Sequence, residues 1–249
     1  MDPDRELADA IAAIKATHFD AAGTACDYSA LSISGERERL RACLAALESA
    51  DPRRLRIPAQ TAFWINVFNA AVLRDAHELA WTRKLAEVEA FFERPRLKVG
   101  GLSYSLDDIQ HGLLRGNLPK HRRLRPPMSR ADPRLAHMPL AFDERMHFAM
   151  YSASRSSPAL RVFEAGELER ELEEATANYI SHTVRCEQGG ALLVLPLQFR
   201  WYAADFGGEQ GIIGFVSAFL DDDAVAAIDR RRGRVKLRYS EFDWTLNRP

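Results

Sequence analysis

Cysteine is scarce in this chain. Cys26, Cys43 and Cys186 are widely separated and odd in number. They offer neither a disulfide framework nor a zinc spacing, and they suit a reduced compartment. Long apolar runs are missing as well. None approaches the ~18 residues that a membrane helix requires, so no membrane association is expected. Neither sign of charge dominates, because 34 Lys+Arg stand against 35 Asp+Glu, and nothing draws the whole molecule toward nucleic acid. There is no Walker loop and no Gly-x-Gly-x-x-Gly. The seven histidines are scattered without a ligand-spaced pair and third partner, so neither a nucleotide, a metal nor another cofactor is expected. The opening Met1-Asp2-Pro3-Asp4-Arg5 has no basic start followed by an apolar core. No secretory leader is therefore expected in the sequence as given, and the expected location is cytoplasmic. Internal repeats and low-complexity segments are absent too.

What remains is 249 residues of ordinary globular composition, 47% hydrophobic and 28% charged, enough for one large domain. Helical spacing of Leu7, Ile11, Ile14 and Phe19 predicts a helix over 5–19. Ser34 precedes a second, over 36–47, with Leu40, Cys43, Leu44 and Leu47 on one stripe. Pro58 sits at a tolerated first-turn position of a third helix reaching about residue 79. This helix is apolar nearly all round, as a helix at the centre of a domain must be. Gly100-Gly101 between short β-like runs reads as a hairpin over 97–104. Ser105, with Asp108 three residues on, reads as an acidic capping box opening a helix to about Arg115. Residues 120–139, rich in Arg and Pro, read as a long loop. Residues 145–151 read as a buried strand, 164–184 as an amphipathic helix, 191–197 as a strand, 211–220 as an apolar helix and 234–239 as a strand. Helices with a few non-contiguous strands give an α+β class with a small antiparallel or mixed sheet. The expected organisation is a helical extension over 1–57 followed by one compact domain over 58–249.

Several segments carry groups capable of chemistry. Asn66 and Asn69, three apart on the apolar helix, share one face. Either they pin neighbouring loops, or one orients a catalytic histidine or donates to a bound carbonyl. His111 follows Gln110 and precedes a glycine that permits close approach. As a base it needs a nucleophile and an orienting group nearby. The run Ser152-Ala153-Ser154-Arg155-Ser156-Ser157 is small and hydroxyl-rich. Such a run is either a surface turn or a nucleophile or anion nest. Trp201, Tyr202 and Asp205, before Gly207-Gly208, either line a pocket or seal a core edge. The basic runs 120–125 and 230–234 read as solvated loops, since no aromatic interleaving suggests base stacking.

Five of these segments, in order, resemble the family called domain of unknown function 547. Its signature pieces look like F-W-I-N-x-Y-N, D-D-I-E-H-x-I-L-R, H-F-A-L-x-C-G-x-x-S-x-P-x-x-R, W-Y-x-x-D-F and Y-D-W-S-L-N. Here they read 63–69, 107–115, 147–161, 201–206 and 242–247, so the resemblance spans about 58–247. It implies a core similar to papain-type cysteine peptidases or transglutaminases. The implied apparatus is a Cys–His pair with a carboxylate or amide as third member.

This chain departs from that pattern at the chemistry. Ser152 stands at the cysteine position, Ala153 at the following glycine, and Gln110 at the Glu before His111. A hydroxyl is far less acidic than a thiol and needs a preorganised base and oxyanion site. Gln110 also lacks the charge that would support an imidazolium. The expectation is a degenerate cysteine-peptidase-like cleft that binds a peptide or small molecule without turnover. Asn66, Asn69, Ser157, Trp201, Tyr202 and Asp205 are its ligand-binding candidates. The alternative is a serine-based hydrolase or acyltransferase using Ser152 and His111.

Overall fold

Every residue from Gln60 to Leu73 is buried in the computed structural model, which describes residues 3–81, 85–139, 141–231 and 233–249. The helix containing that stretch is held by its neighbours on all sides. In chain order the helices are α1 (Pro3–His18), α2 (Tyr28–Ser32), α3 (Gly35–Ala46), α4 (Ile57–Asp75), α5 (Leu85–Glu93), α6 (Leu168–Thr183), α7 (Leu197–Trp201), α8 (Gly208–Ser217) and α9 (Asp222–Asp229). The strands are β1 (Pro95–Val99), β2 (Leu102–Ser105), β3 (Arg185–Glu187), β4 (Leu192–Pro196) and β5 (Lys236–Ser240). With 55% helix and 11% strand in small sheets, the fold is α+β. Among the described residues no helix is long and apolar enough to cross a membrane.

The chain forms two compact units, residues 1–172 with 244–249 and residues 173–243. In the first, α1 and α3 both pack against α4. The side chains of Phe63, Trp64 and Phe68 are at most 2% exposed, each worth about 1.5–3 kcal/mol relative to exposure. Helix α3 is capped by Ser34, whose hydroxyl accepts from Arg37 N. The β1–β2 hairpin turns at Gly100 (φ 58°) and Gly101 (φ 75°), the two positive angles that a type I′ turn demands. Its amides reach back to the end of α3, with Gly100 N donating to Leu47 O and Gly101 N to Glu48 O. In the second unit β3 pairs antiparallel with β4, and β4 pairs parallel with β5. The sheet is therefore mixed, with Leu193–Leu195 of β4 buried.

The segment 145–151 is not a strand. Residues Glu144–Phe148 wind into a 3₁₀ turn, and among the described residues no strand pairs with it. Asp143 starts the turn by accepting from Arg145 N at 2.9 Å, and the Arg145 guanidinium folds back onto the same carboxylate at 2.6 Å. The apolar residues Met146 and Phe148 are buried either way, which is why a short apolar run does not separate the two conformations. The loop 120–139 is likewise interrupted by a 3₁₀ turn at Pro133–His137.

What holds this part of the chain to α4 is side-chain amide chemistry. Asn69 donates to Ala149 O at 3.0 Å and accepts from Tyr151 N at 2.8 Å. Asn66 donates to Phe163 O at 2.7 Å and accepts from Phe163 N at 3.0 Å. Both side chains are buried, and these four bonds pin the loop to α4. Asn69→Ala leaves a buried carbonyl and a buried N–H without partners, at about 1–3 kcal/mol each. The variant is expected to lose about 2–4 kcal/mol in a urea unfolding titration, with the slope of the transition unchanged.

Candidate functional site

The segment bearing His111 opens as its sequence predicts. Ser105 N donates to Asp108 Oδ2 at 2.9 Å, and Asp108 N donates to Ser105 Oγ at 3.0 Å, a reciprocal capping box. Beyond it the backbone widens into a π-helix, Asp108–Leu114, with Arg115 N reaching Gln110 O. Such widened turns are rare and recur at functional sites. Gly112 packs under Met128, and a Cβ there would lie 2.5 Å from Met128 Cε, so that side chain would have to shift.

His111 is 1% exposed and its two ring nitrogens face opposite charges. Arg115 Nη1 lies 3.1 Å from Nδ1, and Asp107 Oδ1 lies 3.7 Å from Nε2. A guanidinium only donates, so Nδ1 accepts and the neutral ring carries its proton on Nε2, toward Asp107. Burial, then Arg115 and Lys120, push the His111 pKa well down, so the contact with Asp107 is not an ion pair. Burial raises the Asp107 carboxyl above the usual carboxylate range, opposed by Lys120, whose Nζ is 2.7 Å from Oδ2. Asp107 and Arg115 bound the motif 107–115 and Lys120 opens a basic run, but none of the three is a candidate site residue on sequence grounds. The signal for the first two was spacing, because each lies four residues from His111 and so shares its helical face.

This cluster opens on a cavity of about 530 Å³ whose walls include Asp107, Asp108, His111 and Lys120. Residues 122–125 and 127 contribute the other side, and residues 117 and 128 clamp that loop. Asn117 Nδ2 donates to Met128 O at 2.9 Å, and Met128 N donates to Asn117 Oδ1 at 3.1 Å.

Ser152 makes its hydrogen bonds within its own turn. Its hydroxyl is 3.1 Å from Ser154 Oγ, and its N–H donates to Ser157 Oγ at 2.9 Å. It is not among the residues lining the His111 cavity. Ser157 in turn donates to Pro158 O at 2.8 Å, so these hydroxyls build the turn. Ala153, at φ 56°, occupies the left-handed region that favours glycine. A further cluster anchors this turn. The Tyr28 and Tyr151 hydroxyls lie against each other and both lie within reach of Asn247 Oδ1, at 2.6 and 2.9 Å, so their two protons serve two of these three contacts at a time. Asn247 N also donates to Ala153 O at 3.2 Å. No local pattern connects residues so far apart in the chain.

A family model described as "Protein of unknown function, DUF547" matches residues 52–180, just over half of the chain. The chain belongs to the DUF547 family. The DUF547 match takes in Asn66, Asn69, Gln110, His111, Ser152 and Ser157, whereas Trp201, Tyr202, Asp205 and the segment 242–247 lie beyond it. No curated protein and no solved structure matches the chain.

Outside the DUF547 match, the second unit holds the remaining candidates. Trp201 packs on Phe242 with ring centroids 5.2 Å apart. Asp205 N donates to Tyr202 O, and Gly207 adopts φ 80° to end that turn and start α8. Phe206 sits between Phe199 and Phe215. In the basic run of this unit Arg231 is tied to the carbonyls of Gly189 and Gln188, and Arg232 lies outside the described residues.

Ala153→Gly restores an unstrained left-handed residue. The relief of about 1–2 kcal/mol exceeds the added freedom of the unfolded chain, so the variant is expected to be more stable by up to about 1 kcal/mol in denaturant titration. The pH dependence has a definite sign. His121 is depressed from 6.5 to about 4 by burial, then by Lys120, Arg122 and Arg115, and His111 shifts the same way. The unfolded chain therefore binds more protons in this window. The stability that these rings contribute is complete above pH 6.5 and is lost as the pH falls toward 4. The raised Asp107 works in the opposite direction. Midpoints measured between pH 7 and 4.5 are expected to decline, and to decline less steeply in His121→Gln.

Proposed function

We propose that this DUF547 protein binds a peptide-like or small-molecule ligand in the cavity beside His111 and does not turn it over. On this reading the site is a degenerate relative of papain-like cysteine-peptidase apparatus, kept for recognition. The observation that carries it is the approach of Arg115 Nη1 to His111 Nδ1 at 3.1 Å. A general base needs a free lone pair on the nitrogen facing its nucleophile. Here the one lone pair of the neutral ring is turned to a guanidinium, and the other nitrogen carries hydrogen. Charging the ring would put a cation beside Arg115 and Lys120 in a buried place. The remaining ring nitrogen carries its hydrogen toward Asp107. The hydroxyl of Ser152 bonds to Ser154, where no base activates it, and Gln110 adds no charge to compensate.

A serine-based hydrolase or acyltransferase is the second reading. It is favoured by Ala153, whose left-handed backbone directly after Ser152 gives the kind of sharp, strained turn that exposes a nucleophile. A fluorophosphonate probe separates the two. Under the binding reading, Ser152 labels no faster in the native protein than in the urea-unfolded chain. Rapid native labelling that disappears in Ser152→Ala overturns the binding reading and installs the hydrolase.

A further inference from the structure

The cavity beside His111 has more positive charge on its walls than its own carboxylates neutralise. Glu93, Asp107 and Asp108 line it together with Lys120 and several arginines. Each of the three acids is already engaged. Asp107 meets Lys120 at 2.7 Å, Glu93 meets Arg123 at 2.9 Å, and Asp108 meets Arg134 at 2.7 Å. Arg122 and Arg125 also line the cavity, and among the described residues neither has a hydrogen bond or an ion pair. His121, next to them, is depressed first by burial and then by Lys120 and Arg122.

The loop that carries these arginines is built and not merely solvated. Its ends are joined by the paired amide bonds of Asn117 and Met128, and Met128 packs onto the helix at Gly112, beside His111. At its tip Arg123 N closes a turn on Lys120 O at 2.9 Å. That turn holds Arg122 at φ 65°, a conformation costing a side chain of this size about 1–2 kcal/mol. Strain of this kind persists where the surroundings enforce it, and it clusters at ligand clamps. Between Arg123 and Arg125, Leu124 stands 97% exposed. One exposed leucine signifies nothing by itself, but here it forms an apolar contact beside two guanidiniums that lack counter-charge.

We propose that the ligand of the His111 cavity is a small anion, its carboxylate or phosphate head held by Arg122 and Arg125 and its apolar portion resting on Leu124. This deepens the reading of ligand binding without turnover and rests on it. Guanidinium pairs suit such heads because their planar N–H donors match two oxygens at once.

Calorimetric titration with three probes tests it: N-acetyl-leucine, its uncharged counterpart N-acetyl-leucinamide, and inorganic phosphate. The acid is expected to bind at least about tenfold tighter than the amide, and to weaken several-fold between low and physiological salt. Arg122→Gln with Arg125→Gln is expected to cost at least about tenfold. Arg39→Gln with Arg230→Gln, which removes the same charge elsewhere, is expected to change affinity less than about twofold. Phosphate binding that needs Arg122 and Arg125 upholds the anion site and assigns the head to phosphate. Leu124→Ser is expected to weaken the acid and leave phosphate unchanged. Equal binding of acid and amide, an equal loss in the control pair, or no saturable binding of any probe overturns the anion assignment. None of these outcomes labels Ser152, so the proposal of binding without turnover stands or falls separately, on the fluorophosphonate result.

Discussion

The buried carboxamides of α4 set the terms for the rest of the first unit. A helix apolar on every side has no way to specify which loop lies against it, because hydrophobic contact is indifferent to small shifts. Asn66 and Asn69 supply that specificity. Each offers one donor and one acceptor to a peptide group of the loop 149–163, and each would be costly if the loop moved away. The position of the Ser152 turn follows from this register. So does the burial of Tyr151, which brings its hydroxyl to Tyr28 and Asn247.

The His111 cluster shows how neighbours decide what an imidazole can do. The same ring, with a carboxylate accepting from one nitrogen and a hydroxyl donating to the other, would be a base. With Arg115 on Nδ1, it is a donor. The π-helical winding belongs to the same arrangement, because a widened turn changes which side chains come level on one face. Around it, each carboxylate of the cavity is matched to a cation from another part of the chain, which leaves the two unpaired arginines at the cavity wall.

The parts that the sequence makes legible are local. Ser34 and Ser105 announce helix starts because their partners lie three residues away. Gly100-Gly101 announces a turn because two adjacent positive φ angles exclude most other residues. The burial of α4 shows in its composition. The segment 145–151 misleads because its apolar residues fit a strand and a short turn equally well, and the deciding bond, from Asp143, is a capping contact that no period reveals. At the site, His111 stands out by type, but its role depends on Arg115 and Asp107, which look like ordinary helical charges. Ser152 stands out by its place in a family motif, whereas its hydrogen bonds show a turn residue. Asn66 and Asn69 are legible as important and ambiguous as to why, since an amide that binds a backbone and one that binds a ligand have the same sequence.

The first unit is interrupted. Its chain departs within α6, after Leu172, and resumes at Trp244. Asn247, which satisfies Tyr28 and Tyr151, belongs to the returning stretch. During synthesis, the helices packed on α4 emerge from the ribosome long before the residue that completes their polar cluster. The tyrosine hydroxyls must therefore do without this acceptor until Asn247, 96 residues beyond Tyr151, has been translated. The whole intervening segment has left the tunnel by the time the earlier part can close, so the assembly order is built into the connectivity of the chain.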